Sequence, residues 1–429
     1  MKKIISEALK IRSEKVLISN FLSLTSVQLA NYILPLITLP YLIRVLGVEK
    51  FGLISFAQAF MHYFVIITDY GFGLSATRDI AIYRDHREKL VEIFNSVFWA
   101  KIILMILSFI ILIILLYSFK KFSAEILFYL IFFLVVIGNT LFPTWFFQGI
   151  EKMSLIALLN FISKVFYTAS VFIFIKMENH YIYIPLLQGL ASIFIGIISL
   201  SFIYMKFKIR LQSCSFSSLK EQFKNGWYIF LSEVSIGFYD SIRIFIVGLL
   251  TNNLITGYYS IAEKLSSIIR LFPIQPLLKA TYPRLSKIYS ENKQKALQTM
   301  YLLQRWTSLY SIVTCTIAFI FAPYIVQIIA GNIYHETILA FRILLIAIIF
   351  ENANTFRVKF LLISKREDIF LKIHFFIGLA GSSVTIIFTY LFSYIGTAIA
   401  ASAIELLVLV ATINYFRKGL KNYVVNFLS

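Results

Sequence analysis

Apolar stretches, about twelve of them and each long enough to cross a bilayer, fill this chain of 429 residues almost end to end. A helix rises about 1.5 Å per residue against about 30 Å of hydrocarbon, so a span needs about 20 apolar residues. The stretches fall at about 17–42, 52–72, 96–118, 125–147, 155–175, 182–205, 227–250, 257–280, 301–323, 338–362, 371–392 and 396–416. In hydrocarbon the backbone must satisfy its own polar groups, so the predicted fold class is an all-α membrane protein of about 12 transmembrane helices. Charged residues make up 14% of the chain, against about 25% in soluble domains. The residues left for loops are too few to build a soluble domain, so any chemistry lies between helices.

The basic residues sort by loop. One set of segments holds Lys2, Lys3, Lys10, Arg12 and Lys15, then Arg78, Arg84, Arg87, Lys89 and Lys152. The same set continues through the stretch 206–224, the segment 279–295, Lys365, Arg366 and Lys372, and ends on Arg417, Lys418 and Lys421. That set carries about 26 basic residues, and the alternate set about five, Arg44, Lys50, Lys120, Lys121 and Lys176. Three loops of the alternate set, near Asn252, Asn332 and Ser393, have none. The bias predicts both termini in the cytoplasm and requires an even number of spans. It also explains the formal charge of +19 as topology spread over many short loops, which excludes a nucleic-acid partner. Met1–Lys15 leads into apolar sequence of roughly 25 residues with no small-residue cleavage pattern, which predicts a retained first span. The two cysteines, Cys214 and Cys315, allow no disulfide framework or zinc pattern.

An internal echo divides the chain. Gly52, Ser55, Ala57 and Gln58 match Gly257, Ser260, Ala262 and Glu263 at one constant offset, and both sets open a span after a short outer loop. The expected organisation is an N-terminal six-helix bundle (1–205), a cytoplasmic basic linker (206–224) and a C-terminal six-helix bundle (225–429) around a central cavity. Repeated halves of this kind place a transport site where they meet.

Ionisable residues within the apolar stretches carry the chemical information. They are Asp69, Lys101, Lys164, Glu233, Asp240, Arg243, Glu263, Lys264, Arg270, Arg305, Arg342, Glu351, Arg357, Lys359 and Glu405. Each costs at least about 2.5–3.5 kcal/mol at mid-bilayer unless paired or hydrated, so they are expected to line a wet interior. Helical spacing puts Glu233, Gly237 and Asp240 on one face, with Arg243 one turn beyond Asp240, and puts Glu263, Ser267 and Arg270 on another. The structural alternative is that Asp240–Arg243 and Glu263–Arg270 are ion pairs that only fix packing. Cations outnumber anions by about nine to six in this set, however, which points to a cavity awaiting an anion, and Arg suits phosphate through bidentate hydrogen bonds. The candidate substrate-binding cations are Arg243, Lys264, Arg270, Arg357 and Lys164. Asp69, Asp240, Glu263 and His62 are candidates for ion pairing or coupling, His62 being weighed against a packing role. Ser55, Gln58, His62 and Asp69 form a stripe on the second span. Pro35 removes a backbone hydrogen bond from the first and is the candidate gate.

No Walker loop or paired-histidine zinc motif occurs, and no cofactor is expected. Gly71, Gly73 and Ala76 match the letters of a dinucleotide fingerprint but follow a membrane span, so they are read as an elbow. The stretch from Arg44 to Ala81, with Leu46-Gly47-Val48-Glu49-Lys50-Phe51-Gly52, Asp69-Tyr70-Gly71 and Arg78-Asp79-Ile80-Ala81, resembles the N-terminal signature of bacterial polysaccharide-export flippases. Trp145-Phe146-Phe147-Gln148-Gly149 and Tyr282-Pro283-Arg284-Leu285 are similar to that family too, a branch of the multidrug, oligosaccharidyl-lipid and polysaccharide exporter superfamily. The resemblance spans essentially the whole chain and implies translocation of an undecaprenyl-pyrophosphate-linked O-antigen repeat unit between leaflets of the inner membrane. It implies partnership with membrane lipids, and with a polysaccharide polymerase and a chain-length regulator. The rival readings are an O-antigen polymerase, which is expected to hold a large external loop, a flippase of the peptidoglycan lipid precursor, and a multidrug exporter, whose site is expected to favour acidic residues.

Overall fold

The computed structural model describes residues 34–231, 234, 242–278, 281–366, 368–370, 372, 373 and 376–417 in full. It describes the backbone alone of 2–33, 232, 233, 235–240, 279, 280, 367, 371, 374, 375 and 418–428. Every regular element among the described residues is helical. Among the described residues, six stretches are long and apolar enough to cross a membrane: Leu34–Tyr83, Arg87–Ser118, Ile126–Gly149, Met153–Phe174, Glu178–Phe207 and Phe376–Arg417. A seventh is added if Lys293–Ile320 and Ala322–Ala330, bent by 70° at their junction, count as one span. The chain is thus an all-α, multi-pass membrane protein.

The predicted spans recur as helices, with two differences. First, Lys2–Asp69 is one helical run interrupted only at Gly47, whose φ of 74° is a conformation that glycine adopts without a Cβ clash. The helix runs through Pro35 and Pro40, and the sharp turn falls at Gly47 instead. Second, several spans read as continuous are each two helices. Ile126–Leu141 and Thr144–Gly149 part at Pro143, and Asn253–Leu271 and Ile274–Glu291 part at Pro273, since proline has no N–H to continue the ladder. The tenth divides into His335–Asn352 and Thr355–Ile363. There the buried Gln304 side chain replaces the missing ladder bonds, donating to the Asn352 carbonyl at 2.8 Å and accepting from the Phe356 amide at 2.8 Å.

The chain forms two compact units. The first comprises residues 1–45 and 61–231, the second 46–60 and 232–429. Residues 46–60, which sequence alone assigns to the N-terminal bundle, therefore group with the second unit.

In the first unit, Ile126–Leu141 and Tyr183–Phe207 approach through small residues. A Cβ on Gly138 would meet Ser192, one on Gly189 would meet Leu134, and one on Gly196 would meet Leu141. The segments that carry the family resemblance pack on one another. Gly149 lies against Ile80, the Thr77 hydroxyl donates to the Trp145 carbonyl at 3.2 Å, and Trp145, Phe146 and Phe147 are buried. Gly71 (φ 73°) makes the elbow into Phe72–Tyr83, and Tyr70 stacks on Phe230 at 4.7 Å. The start of the predicted linker is fastened to Arg87–Ser118. Asn95 donates to the Arg210 carbonyl and accepts from the Gln212 amide, and Trp99 donates to the Gln212 carbonyl at 2.9 Å.

In the second unit the two echoed segments meet. A Cβ on Gly52 would overlap the Asn253 carbonyl and lie 2.5 Å from the Gly257 nitrogen, while one on Gly257 would overlap the Val48 carbonyl. Val48 and Asn253 are themselves equivalent at the offset that relates Gly52 to Gly257. The contact is thus self-complementary, as across a two-fold axis. Phe56 and Phe60 extend it by stacking on Phe245 at 5.6 and 5.8 Å, and Gly248 leaves room for the Phe56 ring. A methyl group at either glycine must push backbone apart, so Gly52→Ala and Gly257→Ala are each expected to destabilise by about 1–3 kcal/mol. Thermal unfolding of the purified chain checks this, with Gly73→Ala, which meets nothing within 4 Å, expected to leave the midpoint unchanged.

Candidate functional site

The densest set of charges inside the helices lies in the second unit. Asn252 accepts from the Ile255 amide at 2.9 Å and so starts the helix Asn253–Leu271, which carries Glu263, Lys264 and Arg270. Ile242–Leu250 supplies Arg243, His335–Asn352 supplies Glu351, and Thr355–Ile363 supplies Arg357.

Arg243 donates through Nη2 to Glu263 Oε1 at 2.9 Å, with side chains only 10% and 13% exposed. The second oxygen of Glu263 accepts from the fully buried Tyr259 hydroxyl at 3.3 Å. Arg270 lies 3.9 Å from Glu351, with both side chains more exposed. The expected pairing of Glu263 with Arg270 on one helix face is therefore corrected. Each takes a partner from another helix, because a facing helix reaches the charged tip more directly than a residue two turns away. The expected Asp240–Arg243 pair, and Glu233 and Gly237, lie outside the residues whose side chains are described.

Two of the candidate cations have no carboxylate partner among the described residues. The Lys264 ammonium sits 5.8 Å above the Phe51 ring, and the Arg357 guanidinium donates to the Ala353 carbonyl at 2.5 Å. A ring face compensates an ammonium only weakly, by about 0.5–2 kcal/mol. An anion reaching Lys264 would replace a weak partner with a strong one. Arg342 and Arg305 do not join this set. Arg342 donates to the Phe319 carbonyl and lies over the Phe319 ring, and Arg305 is exposed on Lys293–Ile320. Glu405 is buried and Lys359 half-buried.

Among the described residues of the first unit, one ion pair has a buried member. Lys101 is 2% exposed and donates to Asp69 Oδ1 at 2.7 Å, while Asp69 keeps 44% of its surface open. His62 is exposed on the same helix as Asp69 and close enough to feel its charge. Of the predicted stripe, His62 and Asp69 belong to this unit and Ser55 and Gln58 to the second. Lys164 is exposed on Met153–Phe174, and Pro35 is exposed on the first helix. Among the described residues no group of three metal-ligating side chains exists.

Sequence spacing missed Glu351 as the partner of Arg270, Phe51 beneath Lys264, and Gln304 at the break that orients Arg357. All three relate residues on different helices, and a single sequence carries no pattern that links them.

Known proteins are similar to this chain in sequence or in fold. A protein of Escherichia coli (strain K12) named "Putative O-antigen transporter" is 28% identical over 390 residues, covering 91% of this chain and 94% of that protein. A protein of the same name from Shigella dysenteriae is 29% identical over 270 residues, 63% of this chain and 67% of that one. Among solved structures, an inward-facing multidrug resistance transporter of the MATE family, in the MOP superfamily, aligns with a TM-score of 0.71 at 15% identity, covering 91% of this chain and 95% of that one. The lipid II flippase MurJ in an inward closed conformation aligns with a TM-score of 0.71 at 14% identity, over 92% of this chain and 87% of that one. At these identities the likeness is one of fold. Residues 17–289 match the family described as polysaccharide biosynthesis protein, so this chain, a multi-pass helical membrane protein with the fold of the MOP transporters, belongs to that family.

Proposed function

We propose that this chain is a flippase, which moves an undecaprenyl-pyrophosphate-linked O-antigen repeat unit from the cytoplasmic to the periplasmic leaflet of the bacterial inner membrane by alternating access. The family, the names of the two enterobacterial relatives and the fold shared with a flippase of a lipid-linked precursor support this reading. It describes a transporter that makes and breaks no covalent bond. Both termini lie in the cytoplasm in this proposal, as the loop charges require.

The observation that carries it is the state of the cations in the second unit: Lys264 rests on a ring face, and Arg270 holds its carboxylate at 3.9 Å. A pyrophosphate brings several acceptor oxygens and charge-assisted hydrogen bonds, roughly twice as strong as neutral ones. It would take Lys264 and Arg357 directly and draw Arg270 from Glu351 and Arg243 from Glu263. The two carboxylates hold the arginines in place until the headgroup arrives. Asp69 with Lys101, together with His62, Asp240 and Glu263, are the candidates for coupling, and Pro35 gives the first helix a place to bend as a gate. A doubly charged headgroup moving outward through a negative-inside potential gains about 4–5 kcal/mol per 100 mV if it crosses the full field.

Three outcomes test this. Lys264→Gln and Arg357→Gln each remove a charge that no carboxylate among the described residues balances, so both proteins should insert normally. Flipping of the lipid-linked repeat unit in proteoliposomes should fall by about ten- to a hundredfold, the equivalent of a charged hydrogen bond; unchanged rates in both would reject these residues as the headgroup site. Arg243→Gln strands a buried carboxylate and should destabilise by about 3–5 kcal/mol in thermal unfolding, with the double variant Arg243→Gln, Glu263→Gln recovering much of the loss. Collapsing the membrane potential of vesicles at fixed pH gradient should slow flipping, and an unaltered rate would remove the potential as a driving force.

A further inference from the structure

The turns near Asn252, Asn332 and Ser393, which carry no basic residue, come together at one end of the second unit, and each brings a tyrosine. Tyr258 stands at the start of Asn253–Leu271, Tyr334 immediately precedes His335–Asn352, and Tyr394 follows the break at Phe392 and Ser393. The Tyr258 and Tyr334 rings are 5.4 Å apart at 46°. The Thr337 hydroxyl donates to the Tyr258 carbonyl at 3.2 Å, which locks the first two turns together. The third turn is fixed by its own close packing, with the Thr389 and Thr397 hydroxyls 2.7 Å apart. Glu336 lies near enough to Tyr258 and Tyr394 for its charge to act on both phenols.

All four side chains are half-buried. Glu336 makes no ion pair or hydrogen bond among the described residues, and no Lys or Arg occurs in 251–263, 320–341 or 385–400. It sits in the first turn of its helix, where the amide end of the dipole favours a carboxylate, so both oxygens stay open as acceptors. Asn332 adds an amide that donates to the Tyr334 hydroxyl at 3.4 Å.

We propose that this end of the second unit is a subsite for a sugar ring of the exported repeat unit, with Tyr258, Tyr334 and Tyr394 as stacking faces and Glu336 as acceptor for ring hydroxyls. The inference rests on the flippase reading and names which part of the substrate is held there. A pyranose presents an apolar C–H face and a rim of hydroxyl donors, which matches aromatic rings beside an open carboxylate. The same carboxylate repels a pyrophosphate, so the two parts of one substrate are sorted. Spacing agrees: Tyr258 and Lys264 lie on one helix about 9 Å apart along its axis, and Tyr258 and Arg270 about 18 Å. A pyrophosphate at the cations would leave its glycan extended toward the tyrosines. With both termini cytoplasmic, that end faces the periplasm.

The test is saturation-transfer NMR on the purified full chain in detergent, with the repeat oligosaccharide freed from its lipid by mild acid as probe. Wild type is expected to transfer magnetisation to ring protons. Tyr258→Ala and Tyr334→Ala should each weaken binding by about tenfold. Glu336→Gln, which keeps side-chain volume, should do likewise, while Tyr334→Phe should retain most binding. Undiminished transfer in Tyr334→Ala and Glu336→Gln would overturn the subsite and leave the flippase reading standing if wild type flips lipid-linked units. Tyrosine-dependent binding by a wild-type protein that fails to flip would uphold the subsite and overturn the flippase reading.

Discussion

The contact between Gly52 and Gly257 sets the register of the helix that carries Glu263, Lys264 and Arg270. Two helix starts can approach backbone to backbone only where neither carries a side chain, and here each glycine lies against the carbonyl that the other segment offers. Phe51, next to Gly52, is thereby delivered beneath Lys264. The helix Asn253–Leu271, held at its first turns by this contact, then projects Tyr258, Glu263, Lys264 and Arg270 in sequence. A shift of one residue would turn all four away by about 100°.

Charge inside this bundle obeys the same geometry. Removing an ion from water costs several kcal/mol even after relaxation, so each needs a local answer. The answers differ in kind. Lys101 has a full partner in Asp69, Arg243 has Glu263 with Tyr259 completing the second oxygen, and Lys264 has, among the described residues, only a ring. That gradation, from tightly satisfied to barely compensated, separates side chains that hold helices together from those suited to exchange partners with a ligand. The tyrosine-lined end of the same unit, with its single carboxylate, continues the gradation to the opposite sign.

Much of the fold was legible because hydrocarbon thickness imposes a length on every span, and apolar runs of that length are plain in a single sequence. Pro143 and Pro273 lie in spans read as continuous, although proline cannot carry a helix ladder on and each break was open to inference from the sequence. The break between Asn352 and Thr355 was not, because the group that stabilises it, Gln304, comes from another helix. The ionisable residues of the site were found by composition alone, but their pairing was not. Helical spacing relates positions on one helix and therefore matched Glu263 with Arg270, whereas both carboxylates answer charges on neighbouring elements. The echo of Gly52 in Gly257 was legible as repetition, and only coordinates showed that the copies touch.

Because residues 46–60 belong with 232–429, the second unit cannot be finished from C-terminal sequence alone. Gly52 leaves the ribosome about two hundred residues before Gly257, which at roughly 5–20 residues per second is a delay of about 10–40 s. Throughout that interval Gly52 lacks the backbone that it packs against in the folded protein. A protein severed within residues 206–231 would therefore carry one segment of its second unit on the N-terminal piece.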